Sequence, residues 1–577
     1  MGFKPLPIGV ENFQEIIEQG YYYVDKTAMI KELLEMRGKV NLFTRPGRFG
    51  KTLNLSMLQC FFEEGYCDAR RLFQGLFIMN QDKDFTGYMS CYPVISLSLK
   101  SLKQPSFELS YMQLKKTIAE EFRRHDRILD SSCLTEAEKQ RYRNICDVQG
   151  KEWDYLDALK FLSACMGKVK EKKTIILIDE YDVPLENAYF SGFYDRMTAV
   201  IRSLFESALK TNGYLEFAVI TGCLRISKES IFAGLNNLKI VSITSPTYSE
   251  YFGFTEQEVL QALGEFGLLD KKEEVKSWYD GFTFGTVQDI YNPWSIVNFL
   301  REGKAGPYWA NTSSNQLVGK LIRESSGSVK EEFADLLAGG FVVTEIDEQI
   351  VYHQLDLDES AIWSLLLASG YLKVRGMEIR QQGYEEWKQI YTLELTNFEV
   401  KIMFRGMVRD WFAPTASSYN AFIRALLAGD LEAMNEYMNR VARGSFSYFD
   451  TAGDTEHAEP EKFYHGFVLG LLVDLSDQYR LTSNRESGLG RYDVMLIPRA
   501  HQDRDAVIIE FKVHNPRRER SLQETAANAL AQIEKKDYER ELTESGIPKH
   551  RIRKYGFAFR GKEVLIAEMD VQTPAIP

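Results

Sequence analysis

A chain of 577 residues is longer than one hydrophobic core serves, so two to four domains are expected. Apolar residues at 44 % and charged residues at 26 % fit a soluble globular protein, and a net charge of −12 argues against a surface coated uniformly for nucleic acid. No apolar run reaches the length of a membrane span, "MGFKPLPIGVENF" carries no export signal, and the seven scattered cysteines form no CxxC pair, so the expectation is a cytoplasmic protein with no membrane partner.

The first 250 residues alternate strand-like and helix-like segments, the pattern of an α/β domain. "KVNLFT" (39–44) reads as a buried strand and "KTLNLSMLQCFFEEG" as the helix that follows it. Between them lies a tight turn ending in Gly50-Lys51-Thr52. Free backbone N–H groups and the dipole at a helix start both favour an anion, so the turn Arg45, Pro46, Gly47, Arg48, Phe49, Gly50, Lys51, Thr52 and Leu53 is expected to cradle the phosphates of ATP. Lys51 would bring charge to the β and γ phosphates and Thr52 a hydroxyl to Mg²⁺. The generic motif has a glycine where Arg45 stands, so the match is incomplete.

"YPVISLSL" (92–99), "KTIILID" (173–179) and "LEFAVITG" (215–222) read as further strands, with helices over 107–170. Four apolar residues lead into Asp179 and Glu180. A carboxylate at the end of a buried strand is costly unless it meets a cation or donors. Asp179 would support Mg²⁺ and Glu180 would polarise the attacking water; a helix-capping cluster is the alternative. Thr221 would sense the γ-phosphate, and Arg225 would neutralise transition-state charge or make a surface ion pair.

After Thr247 the pattern changes. "TEQEVLQALGEFG" has capping-box spacing, and 255–440 reads as mainly helical, with a short strand pair near "YLKVRG" and "QIYTLEL". A helix at "ESAIWSLLLASG" followed by that pair suggests a winged helix. Polar, turn-rich residues 444–460 mark the last boundary, giving domains 1–250, 251–443 and 444–577.

Beyond it, "GRYDVMLIPR" and "AVIIEFKVHN" alternate like strands. Ile508, Glu510 and Lys512 share one face, with Val507, Ile509 and Phe511 on the other. Pairing the two strands can bring Asp493 beside Glu510. Two carboxylates about 4 Å apart repel by roughly 4 kcal/mol at an effective dielectric near 20, which favours a divalent cation between them. Oxygen-only ligands suit Mg²⁺ or Mn²⁺. From Arg499 to Lys562 there are 15 Lys/Arg against 10 Asp/Glu, a local positive field fit for phosphate or simply a solvated surface.

The strings "LPIGVENFQEIIEQGYYYVDKTAMI", "LFTRPGRFGKTLNLSML", "ILIDEYDVPL", "ITGCLRISKESIFAGLNN", "WYDGF", "YNPWSIVNFL" and "YWANTSSN" resemble bacterial AAA-ATPase-like proteins with a C-terminal PD-(D/E)XK nuclease domain. The resemblance implies an ASCE-type P-loop core, for which an RPxRFGK turn is usual, and a D…ExK nuclease site. It implies metal ligation by Asp493, Glu510 and the Phe511 carbonyl, with Lys512 positioning or deprotonating water. Glu461 resembles an upstream acidic metal ligand. His465, one turn further on, is either near that face or an ordinary helix histidine. Gln532 and Tyr538 resemble DNA-positioning residues, at unusual spacing. The expected activity is an ATPase coupled to a Mg²⁺-dependent DNA endonuclease, in defence or mobile-element biology, with homo-oligomerisation compatible with it. The alternative is a nucleotide-dependent switch whose last domain only binds nucleic acid.

Overall fold

The computed structural model describes residues 3–81, 85–224, 231–232, 235–310, 318–319, 321–322, 325, 327–347, 359–382, 386–411, 416–445, 468, 472, 475, 478–483, 486–487, 490–491, 493–499 and 504–569. Arg225, Glu461 and His465 lie outside these residues.

Five parallel strands build the N-terminal sheet: β1 (Val40–Thr44), β2 (Val94–Ser98), β3 (Thr174–Asp179), β4 (Leu215–Gly222) and β5 (Leu238–Val241). Their order is β2-β3-β4-β1-β5. Every residue of β1 and β3 is buried, which is why neither alternates apolar with polar along its length. β4 separates β1 from β3, the strand order of an ASCE-type P-loop core. The carboxyl ends of these three strands therefore meet at one edge, where open α/β sheets bind ligands. Helix α1 (Lys51–Phe62) leaves that edge after Gly50, whose φ of +80° makes the turn possible. β5 escapes the sequence pattern because it is four residues long and only its last residue is buried.

The middle of the chain is mainly helical. Thr255 forms the expected capping box with Glu258 at the helix Glu256–Glu265. Short strands β6 (Phe254–Thr255), β7 (Phe282–Phe284) and β8 (Val287–Tyr291) form an antiparallel sheet that the pattern does not reveal, since two to five residues carry no readable period. Helix α2 (Pro293–Glu302) starts with Asn292 accepting from the N–H groups of Trp294 and Ser295 and with Pro at its first position. Then follow α3 (Gly327–Ala338), β9 (Val342–Glu345), α4 (Glu359–Ala368), β10 (Leu372–Gln382) and β11 (Glu386–Leu395). Sheet order β10-β11-β9 and the succession helix, strand, helix, hairpin are those of a winged helix. Residues Ile362–Leu367 of α4 are all buried, so the middle of this helix serves as a packing element. Helices α5 (Phe398–Trp411) and α6 (Leu431–Ser445) lead toward the last domain.

That domain has β12 (Tyr479–Ser483), β13 (Glu486–Ser487), β14 (Gly490–Arg491), β15 (Val494–Pro498), β16 (Ala506–Val513), helix α7 (Leu522–Lys536), β17 (Ile552–Arg560) and β18 (Glu563–Glu568). Its main sheet runs β12-β15-β16-β17-β18, antiparallel except for β16 and β17, which α7 connects as a crossover. Both faces are covered. Met495, Ile497, Ala506 and Ile508 pack with Leu530 and Ile533 of α7. Val494, Leu496, Val507, Ile509 and Phe511 join the large core on the opposite side.

α6 seals the free edge of β18. Asn435 donates to the Ile566 carbonyl at 2.9 Å and accepts from its N–H at 2.8 Å. Asn439, one turn on, does the same for Val564 at 2.7 and 3.0 Å. A side-chain amide at each turn of the helix thus replaces the missing neighbour strand. Asn435→Ala is expected to leave both Ile566 groups without these partners, at a cost of about 1–3 kcal/mol. Hydrogen exchange of the Ile566 amide should accelerate while β3 amides stay protected.

Candidate functional site

At the carboxyl edge of the first sheet, Asp179 is 6 % exposed and held from a helix start and a neighbouring strand. Thr52 Oγ1 donates to its Oδ2 at 2.7 Å, and Thr221 Oγ1 donates to its Oδ1. The register makes this possible: Ile178 pairs with Ile220, which puts Thr221 beside Asp179. Lys51 Nζ lies close by, donating to the carbonyls of Arg45 at 2.9 Å and Pro46 at 2.8 Å. Gly47 and Gly50 each have open space where a Cβ would sit. Phe49 is buried between the rings of Phe282 and Phe284, at 4.8 and 5.3 Å, and Leu53 lines the cleft.

Arg45 does something other than the sequence suggests. Its side chain is fully buried, and Nη1 donates to the carbonyls of Thr44, Val241 and Ser242 at 2.8, 3.1 and 2.7 Å. The guanidinium also lies over the rings of Phe252 and Phe284. A buried charge must spend its donors, and here they tie the end of β1 to the end of β5. Only the Arg45 carbonyl reaches the phosphate-binding turn, through Lys51. Arg48, in contrast, is exposed, adopts φ +68° and lies 4.6 Å from the Trp294 ring.

Glu180 adopts φ +52° and lines the same cleft. Burial, and then the neighbouring Asp179, push its carboxyl above the usual range. Asp182 accepts from the N–H groups of Cys223 and Leu224, both at 2.8 Å, and joins the ends of β3 and β4. Burial raises its carboxyl too, lifts Glu186 to about 6 and lifts the Cys223 thiol to about 12.

The cleft encloses about 610 Å³, a size suited to a nucleotide. Its far wall comes from the middle of the chain, including Trp294, Trp309 and Tyr371. Asn292 Nδ2 donates to the Gly47 carbonyl at 3.4 Å. Gly370, at φ +82°, approaches so closely that a Cβ there would lie 2.6 Å from the Pro46 ring. Behind this wall, Glu399 is fully buried and accepts from Ser295 Oγ at 2.8 Å and from the Trp309 and Ala310 N–H groups at 2.6 and 3.4 Å. Asn292, Trp294 and Glu399 were not among the expected site residues. Asn292-Pro293 was a readable helix start, but Glu399 is a long-range partner with no local signature.

The second site lies on β15 and β16. Val494 pairs with Ile509, so Asp493 falls opposite Glu510, and its Oδ2 accepts from the Phe511 N–H at 2.7 Å. Glu510 is 1 % exposed, and its Oε1 accepts from Gln532 Nε2 on α7. Gln532 Nε2 also lies 3.4 Å from the Tyr538 hydroxyl. Lys512, half-buried on the face of Glu510, makes no ion pair with a described residue. The donor set of two carboxylates and no soft ligand fits a hard divalent cation. Among the described residues no group of three or more His, Cys, Asp or Glu could hold a metal. Thr52 and Asp179, a hydroxyl beside a carboxylate, likewise fit Mg²⁺ next to bound phosphates.

The fold and these sites define a class: a P-loop NTPase core of ASCE type joined to a restriction-endonuclease-like α/β domain. Residues 7–232 match the family described as "Predicted AAA-ATPase", and residues 459–569 match the PD-(D/E)XK nuclease superfamily. The two matches fall on the domains that carry the two sites, one at each end of the chain. It is also similar to an uncharacterized protein in the vnfD 5′ region of Azotobacter chroococcum mcd 1, at 26 % identity over 567 residues, covering 95 % of this chain and 96 % of that one. No helix of the described residues is long and apolar enough to cross a membrane.

Burial raises the Glu399 carboxyl from 4.5 to about 7. A folded-state pKa above the unfolded one contributes stability below 4.5 that is lost as pH rises through about 7. Glu399→Gln, which cannot ionise, is expected to escape that loss. Its thermal midpoint relative to wild type should climb across that window, and a pH-independent difference would contradict this account.

Proposed function

We propose that this chain binds and hydrolyses ATP and is coupled to a Mg²⁺- or Mn²⁺-dependent DNA endonuclease. The observation that carries the nuclease reading is the register of β15 on β16, which sets Asp493 and Glu510 together with Lys512 on the same face. Asp493, Glu510 and the Phe511 carbonyl would hold one cation, and Thr52 and Asp179 another. When bound, these ions neutralise phosphate charge and acidify coordinated water. Lys512 places its ammonium where it offsets phosphate charge and orients water. Gln532 fixes the Glu510 carboxylate, with Tyr538 alongside.

In the ATPase site, Lys51 meets the β and γ phosphates and Glu180 takes the proton of the attacking water. Its raised proton affinity suits that role. Thr221 acts through Asp179 as well as toward the γ-phosphate. The phosphate turn is gripped by Asn292, Phe282 and Gly370, so nucleotide binding bears directly on the middle of the chain, which in turn holds the nuclease sheet through Asn435 and Asn439. A cytoplasmic role in defence or mobile-element biology rests on the architecture alone.

The second reading is a nucleotide-dependent switch whose last domain grips nucleic acid without cutting it. It is favoured by the Asp493 carboxylate being engaged by the Phe511 N–H. Cleavage assays on plasmid and linear single strands, with each metal and with or without ATP, separate the two. Asp493→Asn and Lys512→Ala are expected to lower cleavage by about 10²-fold or more, with DNA binding retained. Undiminished cutting by both variants would leave the nuclease site misassigned, and no cutting by wild type under any condition would favour the switch. Lys51→Ala is expected to abolish ATP binding in a calorimetric titration.

A further inference from the structure

Residues 514–521 carry the chain from β16 into α7, and the turn is built around Glu519. Its Oε2 accepts from the Asn515 N–H at 3.1 Å and from Thr525 Oγ1 at 2.7 Å, and its Oε1 accepts from Asn528 Nδ2 at 2.7 Å. His514 Nδ1 lies 2.9 Å from the same Thr525 hydroxyl. Asn515 Oδ1 accepts from the Arg517 N–H at 3.0 Å, and the Asn515 carbonyl accepts from the N–H groups of Arg518 and Glu519. The Arg520 N–H donates to Glu524 Oε2 at 2.7 Å. Burial works against charge on Glu519, but these donors outweigh it and hold the carboxyl below its usual range. The turn therefore has one well-determined backbone shape before any partner arrives.

Three side chains take no part in this network. Arg517, Arg518 and Arg520 are exposed, and none makes an ion pair with a described residue. Several basic residues of the same domain are neutralised, by contrast: Arg540 by Glu544, Lys549 by Glu539, Arg551 and Arg553 by Asp505, and Arg560 by Glu563. In a chain of net charge −12, these three guanidinium groups within four residues make a local patch of positive charge.

Its position gives it a use. Arg517 is five residues beyond Lys512, a reach of at most about 18 Å. From Ser521, α7 runs about 16 Å before Gln532 touches Glu510, at about 1.5 Å per residue. A nucleic-acid strand rising about 3.4 Å per phosphate covers that distance in roughly five steps.

We propose that Arg517, Arg518 and Arg520 form a preorganised clamp on a nucleic-acid backbone, roughly five phosphates from the Asp493–Glu510 pair, with Glu519 as its positioning residue. The clamp rests on the nuclease reading for its partner. Guanidinium suits the task because its planar fork grips phosphate oxygens two at a time.

The test is fluorescence anisotropy of the full chain with a labelled duplex and a labelled single strand, over a salt series without divalent metal, so that nothing is cut. The triple variant Arg517→Ala, Arg518→Ala, Arg520→Ala is expected to bind duplex more weakly and to lower the slope of log K against log salt by about 2–3, since each lost phosphate contact removes about 0.9. The control Arg540→Ala, Arg560→Ala, which removes exposed but paired arginines of the same domain, should leave the slope unchanged. Glu519→Ala separates positioning from charge. Loss of a negative group beside three arginines would by itself tighten binding, whereas loss of the clamp's shape weakens it; tighter binding would refute the positioning role. A wild-type slope in the triple variant overturns the clamp while leaving the nuclease reading intact if the variant still cuts. Failure of wild type to bind either probe overturns both. Binding to anionic vesicles or an acidic peptide in place of nucleic acid overturns the assigned partner.

Discussion

The N-terminal half of this protein is organised by one buried carboxylate. Asp179 stands at the end of an apolar strand, where its charge is tolerable only with donors supplied from outside that strand. Thr52 reaches it from the first turn of α1 and Thr221 from the end of β4. Satisfying Asp179 therefore fixes the carboxyl ends of β3 and β4 and the start of α1 relative to one another. Arg45 extends the same logic to β5, spending its donors on carbonyls at that strand's end. The open geometry of the phosphate turn is a by-product of these bonds: Lys51 is folded back onto two carbonyls and the glycines leave room beside it.

The cleft above the Gly50-Lys51-Thr52 turn is not the property of one domain. Its floor is the turn and its far wall belongs to the middle of the chain, pressed close enough that Gly370 has no room for a Cβ against Pro46. The same middle region reaches the other site with a different device. Two asparagines one helical turn apart treat α6 as a surrogate strand and close the edge at β18. An unsealed edge there would be a template for pairing with another chain. Sealing it also places the sheet that carries Glu510 firmly against the helices that lead from the cleft.

The strands β1 to β4 were legible because each is a short, largely apolar run in a parallel sheet, and β1, β3 and β4 lie in its interior. Lys51, Thr52 and Asp179 were legible because their spacing to a strand end or helix start is itself the signal. The Asp493–Glu510 approach was legible as a consequence of alternation, once the two strands were paired. What was not legible came from distance in sequence. β5 is too short and too exposed to announce itself, yet it receives Arg45. Glu399 lies about a hundred residues from Ser295, with nothing local to mark it as a partner. Arg45 looked like part of the binding turn because sequence places it there, whereas its side chain points into the core.

By itself the sequence determined the longer strands and helices, where the glycine-rich Gly50-Lys51-Thr52 turn lies and which carboxylates stand in apolar surroundings. These are local matters, settled by period, capping and side-chain chemistry. Tertiary structure alone decided which donors meet Asp179 and Glu510, where Arg45 spends its charge, which face of the last sheet α7 covers and which arginines are left uncompensated. Those outcomes depend on groups brought together from tens to hundreds of residues apart, and burial makes each choice of partner too costly to leave unmade.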